Sequence, residues 1–477
     1  MMKKPTKQKQ QTRQSRRKFI KNAGLAGAAF TIVPRFAIGG KGFIPPSDTL
    51  YLAGIGVGGK GRSDLSECAK SPNVKVVHLC DVDDRQAVRS KENFPDAKYH
   101  KDFRKMLEKE GKSIDAVTVS TPDHTHAIAA LTAMQMGKHV YVQKPLTWSI
   151  TEARMLAQAA EKYKVVTQMG NQGGSGDGVR KMKEIVDAGL IGDVTKVQSW
   201  TNRPIWPQGI EKSTEKTPIP DGLDWDLWLG PAEFTEFQNV YAPFGWRGWF
   251  AFGTGALGDM ACHILDPAFR ILPIDYPSEV ECSVVSKWDN SFKEIYLPDS
   301  FPSASALYFK FPVKNSDSHI ELTWMDGGVK PERPAELGAD EPMGDWSGGI
   351  IFEGTKGKIM ADCYGANPRL IPTSLMDNVT VKETLPRVPE GHYVQWVNAC
   401  MKGYGNAEVS SPFHYAGPLT ESILLGSLAV RTYMTKDGDD KFSGRKKLLW
   451  DAKNMAVTNC EFANNFVKRN YREGWKV

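Results

Sequence analysis

Glycines, acids, a lysine and a histidine are spaced in this chain as a dinucleotide-dependent reaction needs them. Gly56-x-Gly58-x-x-Gly61 follows the apolar run from Leu50 to Ile55. Glycine is required there for a tight turn after a strand, for close backbone approach to a pyrophosphate, and for room to set a helix against a sheet. The helix opening near Gly61 turns free N–H groups and its positive dipole end toward the phosphates. Gly59 and Arg62 lie in the same turn and join the expected cofactor-binding set. Asp81 closes the next apolar strand, 20 residues past Gly61. A carboxylate at that distance binds the adenosine ribose 2′-OH and repels a 2′-phosphate, so NAD is expected rather than NADP. The other reading of Asp81 is a helix N-cap. Lys144 stands at a strand end, held by Pro145, and is an odd choice for structure alone. Asp259 and His263, at i and i+4, share one face of a helix otherwise carrying Leu257, Met260, Ile264 and Leu265. Polar groups on such a helix need partners, in a structural pair or in a site.

These residues need elements to hold them. Strands and helices alternate from Leu50 to Met169, which predicts a parallel sheet wound by helices. Ligands of such sheets sit beyond the carboxyl ends of the strands. Four of those ends carry chemistry: Gly56–Gly61, Asp81, Thr121-Pro122-Asp123-His124-Thr125-His126, and Gln143-Lys144. His124 and His126 have no third ligand in view and a helix begins there, so capping and cofactor contacts are expected and no metal. Beyond residue 171 the pattern predicts an α+β domain with one large, mostly antiparallel sheet. Its strands are read over 280–285, 305–311, 319–324, 349–353 and 358–361, and helices over 391–401, 419–434 and 451–471. Residues 327–346 read as a long loop.

Together, the glycine fingerprint, Asp81, Thr-Pro-Asp-His-Thr-His, Gly-Lys-His-Val-x-Val-Gln-Lys-Pro-Leu and the helix Gly253–Asp266 resemble the Gfo/Idh/MocA oxidoreductases. The resemblance implies a Rossmann domain over 43–170 and a substrate-binding and oligomerisation domain over 171–477. It implies cofactor contacts from Thr121, Pro122, His124, Gln143, Lys144 and Asn171. It implies a catalytic set of Lys144, Asp259 and His263, in which Lys144 polarises the reacting hydroxyl, His263 takes its proton, and Asp259 orients the imidazole or positions substrate. Lysine and histidine could exchange these roles. The family's usual Glu-Lys-Pro reads Gln143-Lys144-Pro145 here, which leaves the tuning of the lysine open.

Residues 1–42 hold eleven Lys/Arg and no acid, so the net charge of +6 becomes −5 without them. The body is mildly acidic, and nothing argues for nucleic acid. Ser15-Arg16-Arg17-Lys18-Phe19-Ile20-Lys21 and the weakly apolar stretch 23–33 resemble a Tat export signal, with a mature start expected near 37–47 and a periplasmic address. No membrane span is visible in the sequence. Seven scattered cysteines show neither a metal-type spacing nor a Cys-x-x-Cys pair, and read mostly as small buried hydrophobes. Six of the thirteen tryptophans fall within 200–249 beside Arg203, Tyr241 and Arg247. Flat rings with a polar edge suit sugars, so Arg203, Trp206, Tyr241, Arg247, Asp259 and His263 form the expected substrate set; core packing is the expectation for most of the tryptophans. The function expected is oxidation of a sugar, cyclitol or glycoside hydroxyl with tightly bound, internally recycled NAD, in a homodimer or homotetramer. The alternatives are an NAD-dependent glycosidase and a non-catalytic carbohydrate-binding relative.

Overall fold

A computed structural model of the chain describes residues 48–438 and 440–475. The expected export segment, 1–42, lies outside them. The chain divides after Thr49, and the unit from Leu50 carries both sheets. Its first half alternates strand and helix: β1 Leu50–Ile55, α1 Gly59–Cys68, β2 Val74–Cys80, α2 Asp84–Asn93, β3 Lys98–His100, α3 Phe103–Glu110, β4 Ala116–Val119, α4 Asp123–Gln135, β5 His139–Val142, α5 Ile150–Tyr163 and β6 Thr167–Met169. The sheet is parallel throughout, in the order β3-β2-β1-β4-β5-β6. The order reverses between β1 and β4, and that switch point opens the crevice where ligands bind. Apolar strands such as β4, buried along its whole length, are what a sheet covered on both faces demands.

The second half runs α6 Asp177–Asp187, β7 Val194–Thr201, α7 Trp225–Leu229, α8 Gly255–Ile264, α9 Asp266–Ile271, β8 Glu279–Val284, β9 Ser305–Pro312, β10 His319–Met325, β11 Gly348–Gly354, β12 Lys358–Asp362, β13 Arg369–Ile371, α10 Gly391–Lys402, α11 Phe413–Met434, β14 Leu448–Asp451 and β15 Ala456–Val457. Nine strands form one sheet, β13-β12-β11-β7-β10-β9-β8-β14-β15, antiparallel except where β7 meets β10. Along β9, Leu307, Phe309 and Phe311 face inward while Tyr308 faces out. The outer face is largely polar, with Lys310–Glu279 at 3.6 Å and Lys196–Glu353 at 3.7 Å. On the inner face α11 comes so close that a Cβ on Gly426 would lie 2.6–2.8 Å from Leu257, Leu307 and Phe309. The chain then returns to the first sheet: Trp396, Val397 and Cys400 of α10 bury themselves with Leu52, Leu65, Leu79 and Tyr141.

One expected helix is absent. Residues 451–471 form the end of β14, the short β15 and a 3₁₀ turn over Glu461–Phe466. Asparagine side chains compete with the helical ladder there. Asn459 accepts from Leu449 N and donates to Lys447 O, and Asn464 closes on both backbone groups of Val457. Residues 327–346 form no regular element, as expected. All seven cysteines are unpaired and buried. Among the described residues no helix is long and apolar enough to cross a membrane.

Candidate active site

A cavity of about 480 Å³ opens at the switch point, between the strand ends of the parallel sheet and α8. At one end lie Gly56, Gly58 and Gly59. Gly56 has φ +74°, and a Cβ on Gly61 would stand 1.8 Å from Gly56 O, so no side chain fits at Gly61 in the first turn of α1. Asp81 follows β2. Its Oδ2 accepts from Val57 N at 2.9 Å and Gly58 N at 3.1 Å, and its Oδ1 from Asp83 N at 2.9 Å. Burial pushes its carboxyl above the ordinary value, opposed by these N–H groups. Asp83, not Asp81, caps the following helix. Thr121 and Pro122 line the same end, and the buried Thr121 Oγ1 has no partner among the described residues. A glycine loop with no room for a Cβ at Gly56 or Gly61, and a buried hydroxyl left unpaired, fit a dinucleotide.

At the other end Lys144, Asp259 and His263 meet. Lys144 Nζ donates to Asp259 O at 2.6 Å and to Asp259 Oδ1 at 2.8 Å. Arg247 Nε approaches the same Oδ1 at 3.4 Å. Burial raises the Asp259 carboxyl, but Lys144 and Arg247 outweigh it and hold it at about 2. Burial, aided by the Lys144 charge, lowers His263 well below the ordinary histidine value, so its imidazole is neutral at pH 7. Its Nδ1 has no partner among the described residues, and its ring lies 4.5 Å from that of Tyr364. Of the two roles expected for Asp259, orienting the imidazole has no hydrogen bond behind it, because the carboxylate is taken by Lys144 and Arg247.

The position of α8 follows from Thr254. A Cβ on Gly258 would meet Thr254 Oγ1 at 2.0 Å. Glycine there lets the hydroxyl lie over the helix and donate to Asp123 Oδ2 at 2.6 Å. That bond ties α8 to the β4 turn. Asp123 lines the cavity, and burial pushes its carboxyl up to about 7 against the Thr254 bond.

Gln143 also has a physical reason. Its Nε2 donates to both oxygens of Asp64, at 3.0 and 2.9 Å. Asp64 is fully buried and also receives Lys60 Nζ at 2.5 Å, Tyr393 OH at 2.8 Å and Ser120 Oγ at 2.7 Å. A glutamate at 143 would set two buried carboxylates side by side; the amide satisfies Asp64 instead.

Of the expected cofactor residues, Gly56, Gly58, Gly59, Asp81, Thr121, Pro122, Gln143 and Lys144 line the cavity, with Gly61 packed beneath its loop. Arg62, His124 and Asn171 do not line it. His124 is buried against Trp228 and Phe252, with Nε2 2.9 Å from Trp228 O. Asn171 is fully buried and donates to Asp266 Oδ1 at 2.8 Å. Of the substrate set, Arg203 and Arg247 line the cavity beside Asp259 and His263; Trp206 and Tyr241 do not. Tyr241 packs edge-on against Trp249 and Phe252, and Trp206 donates to Gln208. The cavity's aromatic walls are instead Phe103, Trp228, Phe244, Trp246 and Tyr364. Tyr364 follows β12 with φ +64°, and nothing in its sequence neighbourhood signals a site.

A doubly wound dinucleotide fold joined to a lysine–aspartate–histidine set defines the class, and comparison with known proteins agrees. Residues 52–171 match the oxidoreductase family described as "NAD-binding Rossmann fold", and 175–292 match its "C-terminal alpha/beta domain". The chain belongs to the Gfo/Idh/MocA oxidoreductases. It is 26% identical over 203 residues, 38% of this chain and 44% of the relative, to a glycosyl hydrolase family 109 protein of Shewanella pealeana. It is 24% identical over 266 residues, 55% of this chain and 47% of the relative, to levoglucosan dehydrogenase of Pseudarthrobacter phenanthrenivorans. These matches span about half the length of each relative. A solved levoglucosan dehydrogenase, in complex with NADH and levoglucosan, shares the fold with a TM-score of 0.53 at 16% identity, over 80% of this chain and 98% of that one.

Proposed function

We propose that this protein is an NAD-dependent oxidoreductase acting on a CH–OH group of a sugar, cyclitol or glycoside. The observation that carries the reading is the bonding of Lys144. An ammonium has three donors, and Asp259 takes two of them, through its carbonyl and its carboxylate. The third is left for a substrate oxygen at the cavity. Gly56, Gly58, Asp81 and Thr121 would hold NAD, which when bound supplies the hydride acceptor. Lys144 then donates to the reacting oxygen and favours the charge that develops on it. His263, neutral at pH 7, accepts the hydroxyl proton as general base. Asp259 keeps Lys144 aimed and offsets the second positive charge that forms on His263.

Relatives named as family 109 glycosyl hydrolases favour a second reading, in which oxidation is transient and assists elimination of an aglycone. Both readings suit a tightly bound, internally recycled cofactor, and the basic twin-arginine segment at 15–21 supports export of a folded, loaded protein. A homodimer or homotetramer completes the proposal, checked by light scattering. The test is a glycoside panel offered to purified protein, following reduced-nicotinamide absorbance and released aglycone, with a denatured sample assayed for bound dinucleotide. Steady reduction of added NAD supports a dehydrogenase and removes internal recycling; reduction of the bound dinucleotide alone supports a recycling oxidoreductase; aglycone release without net reduction supports the glycosidase. Absence of all three removes the enzyme reading. Retention in the cytoplasm after Arg16→Lys with Arg17→Lys supports export, and unchanged export removes it.

A further inference from the structure

Three cationic side chains line the reacting end of the cavity: Lys144, Arg203 and Arg247. Two of them share one carboxylate, Lys144 at 2.8 Å and Arg247 at 3.4 Å from Asp259 Oδ1. Arg203 has no carboxylate within 4.0 Å among the described residues. Its Nη1 donates to the Asn202 side-chain oxygen. The two acids flanking the adjoining loop are engaged elsewhere. Asp345 accepts from Ser347 N and Gly348 N, and Asp326 from Ser305 and Trp324. A cation left unmatched beside a cavity raises the local concentration of anions.

The surroundings narrow the kind of anion. The Arg203 guanidinium stands 5.2 Å from the Trp346 ring. Trp346 is 74% exposed, and Phe244 and Tyr364 at the cavity mouth are 46% and 44% exposed. Exposed aromatic faces beside a planar donor fork suit a flat, mostly apolar ring face that carries one in-plane acceptor group. Arg203 is the cation of the three without a carboxylate partner, and its parallel N–H donors match a carboxylate in bidentate geometry. Past Trp346 an open cleft of about 570 Å³ is lined by Lys330, Arg333 and Asp345, so one positive charge in excess continues away from the cavity.

We propose that the substrate is an acidic sugar, a uronic acid or a glycoside containing one, whose carboxylate is received by Arg203 while Trp346 supports the ring. This rests on the reading of the cavity as a sugar site. The experiment titrates full-length, NAD-loaded protein with methyl glucuronide, methyl galacturonide, the matched neutral methyl hexosides and a sulfated hexoside, reading tryptophan fluorescence and, in parallel, turnover. The expected result is at least tenfold tighter binding of one uronide than of its neutral partner. In Arg203→Gln that ratio falls by about 10- to 100-fold, the value of a charge-assisted hydrogen bond, with Arg203→Lys intermediate because it keeps the charge and loses the fork. Equal affinity for acidic and neutral partners overturns the proposal even where neutral sugars turn over, which would leave the oxidoreductase reading intact. A preferred uronide that is bound but never turned over keeps the acidic-sugar site and removes the oxidoreductase reading. A sulfated hexoside bound more tightly than any uronide overturns the carboxylate assignment.

Discussion

Replacing Gln143 by glutamate tests whether the amide is there because of Asp64. The Gln143 Nε2 atom sits 2.9–3.0 Å from both Asp64 oxygens. A glutamate in the same rotamer brings two charge centres to about 4 Å, which costs about 4 kcal/mol at an effective dielectric of 20. The variant can instead protonate the new carboxyl. Taking a group of ordinary value about 4.3 to its neutral form at pH 7 costs about 3.7 kcal/mol. The folded state takes the cheaper route, and the protonated side chain returns one hydrogen bond to Asp64, so the expected loss is about 3 kcal/mol at pH 7. The sign follows from linkage: the new carboxyl has a raised folded value, so its deficit is absent below about pH 4.3 and grows by up to about 1.4 kcal/mol per pH unit above it. The assay is the midpoint of thermal unfolding of Gln143→Glu relative to the parent between pH 4.5 and 8. Asp64→Asn with Gln143→Glu restores one carboxylate and one amide and is expected to recover most of the loss. A Gln143→Glu protein as stable as the parent at pH 8, or a double variant no better than the single, would refute the reasoning.

Lys144→Ala and His263→Ala are each expected to lower turnover by about 10²–10⁴ while NAD binding, read by calorimetry, is retained; near-parent turnover removes that residue from the catalytic set. Because burial holds His263 neutral well below the ordinary histidine value, kcat/KM is expected to stay level as pH falls through 6.5, and a tenfold loss per unit there would count against His263 as the base. His124 and His392, both fully buried, are lowered by burial to about 3. The unfolded chain binds protons near pH 6.5 that these native rings refuse, so stability present above 6.5 falls with acid by up to about 1.4 kcal/mol per unit for each; a melting temperature unchanged from pH 6.5 to 5 would contradict this. Asp81→Ser is expected to weaken NAD and narrow its margin over NADP, and a parent that prefers NADP tenfold would overturn the assignment of Asp81.

The parallel sheet was legible because each strand is a short apolar run closed by residues with a second reason to be there. Glycine at 56, 58 and 61, Asp81 and Lys144 mark strand ends as well as chemistry, so fold and site were read from the same positions. The nine-stranded sheet was legible from alternation, as along β9, where every second residue is buried. The C-terminal stretch was not. Its apolar spacing suits a helix, but Asn464 takes both backbone groups of Val457, which a helix would need, and Asn459 is tied back to Lys447 and Leu449 ahead of the stretch. That competition leaves no trace in periodicity.

In the site, the charged residues expected from the sequence, Arg62 apart, stand at the cavity, while some other expected residues stand away from it. His124 and Asn171 each give one polar atom to the scaffold, His124 to Trp228 O and Asn171 to Asp266, and Tyr241 packs its ring in the cluster with Trp225, Trp249 and Phe252. Asp123 is the converse. It stands inside the Thr121–His126 motif, yet its place at the cavity depends on Thr254, 131 residues away. The pairing of Asp259 with Lys144 spans 115 residues, and i,i+4 spacing on α8 suggested His263 as its partner. On a helix, neighbours at i+4 share a face, but a carboxylate bonds to the strongest donor that reaches it. A lysine delivered by a strand end, with its charge undiluted, outcompetes a buried imidazole that stays neutral. The same competition leaves His263 without a bond from Asp259, while burial and the Lys144 charge keep its imidazole neutral, the state that the proposed general base requires.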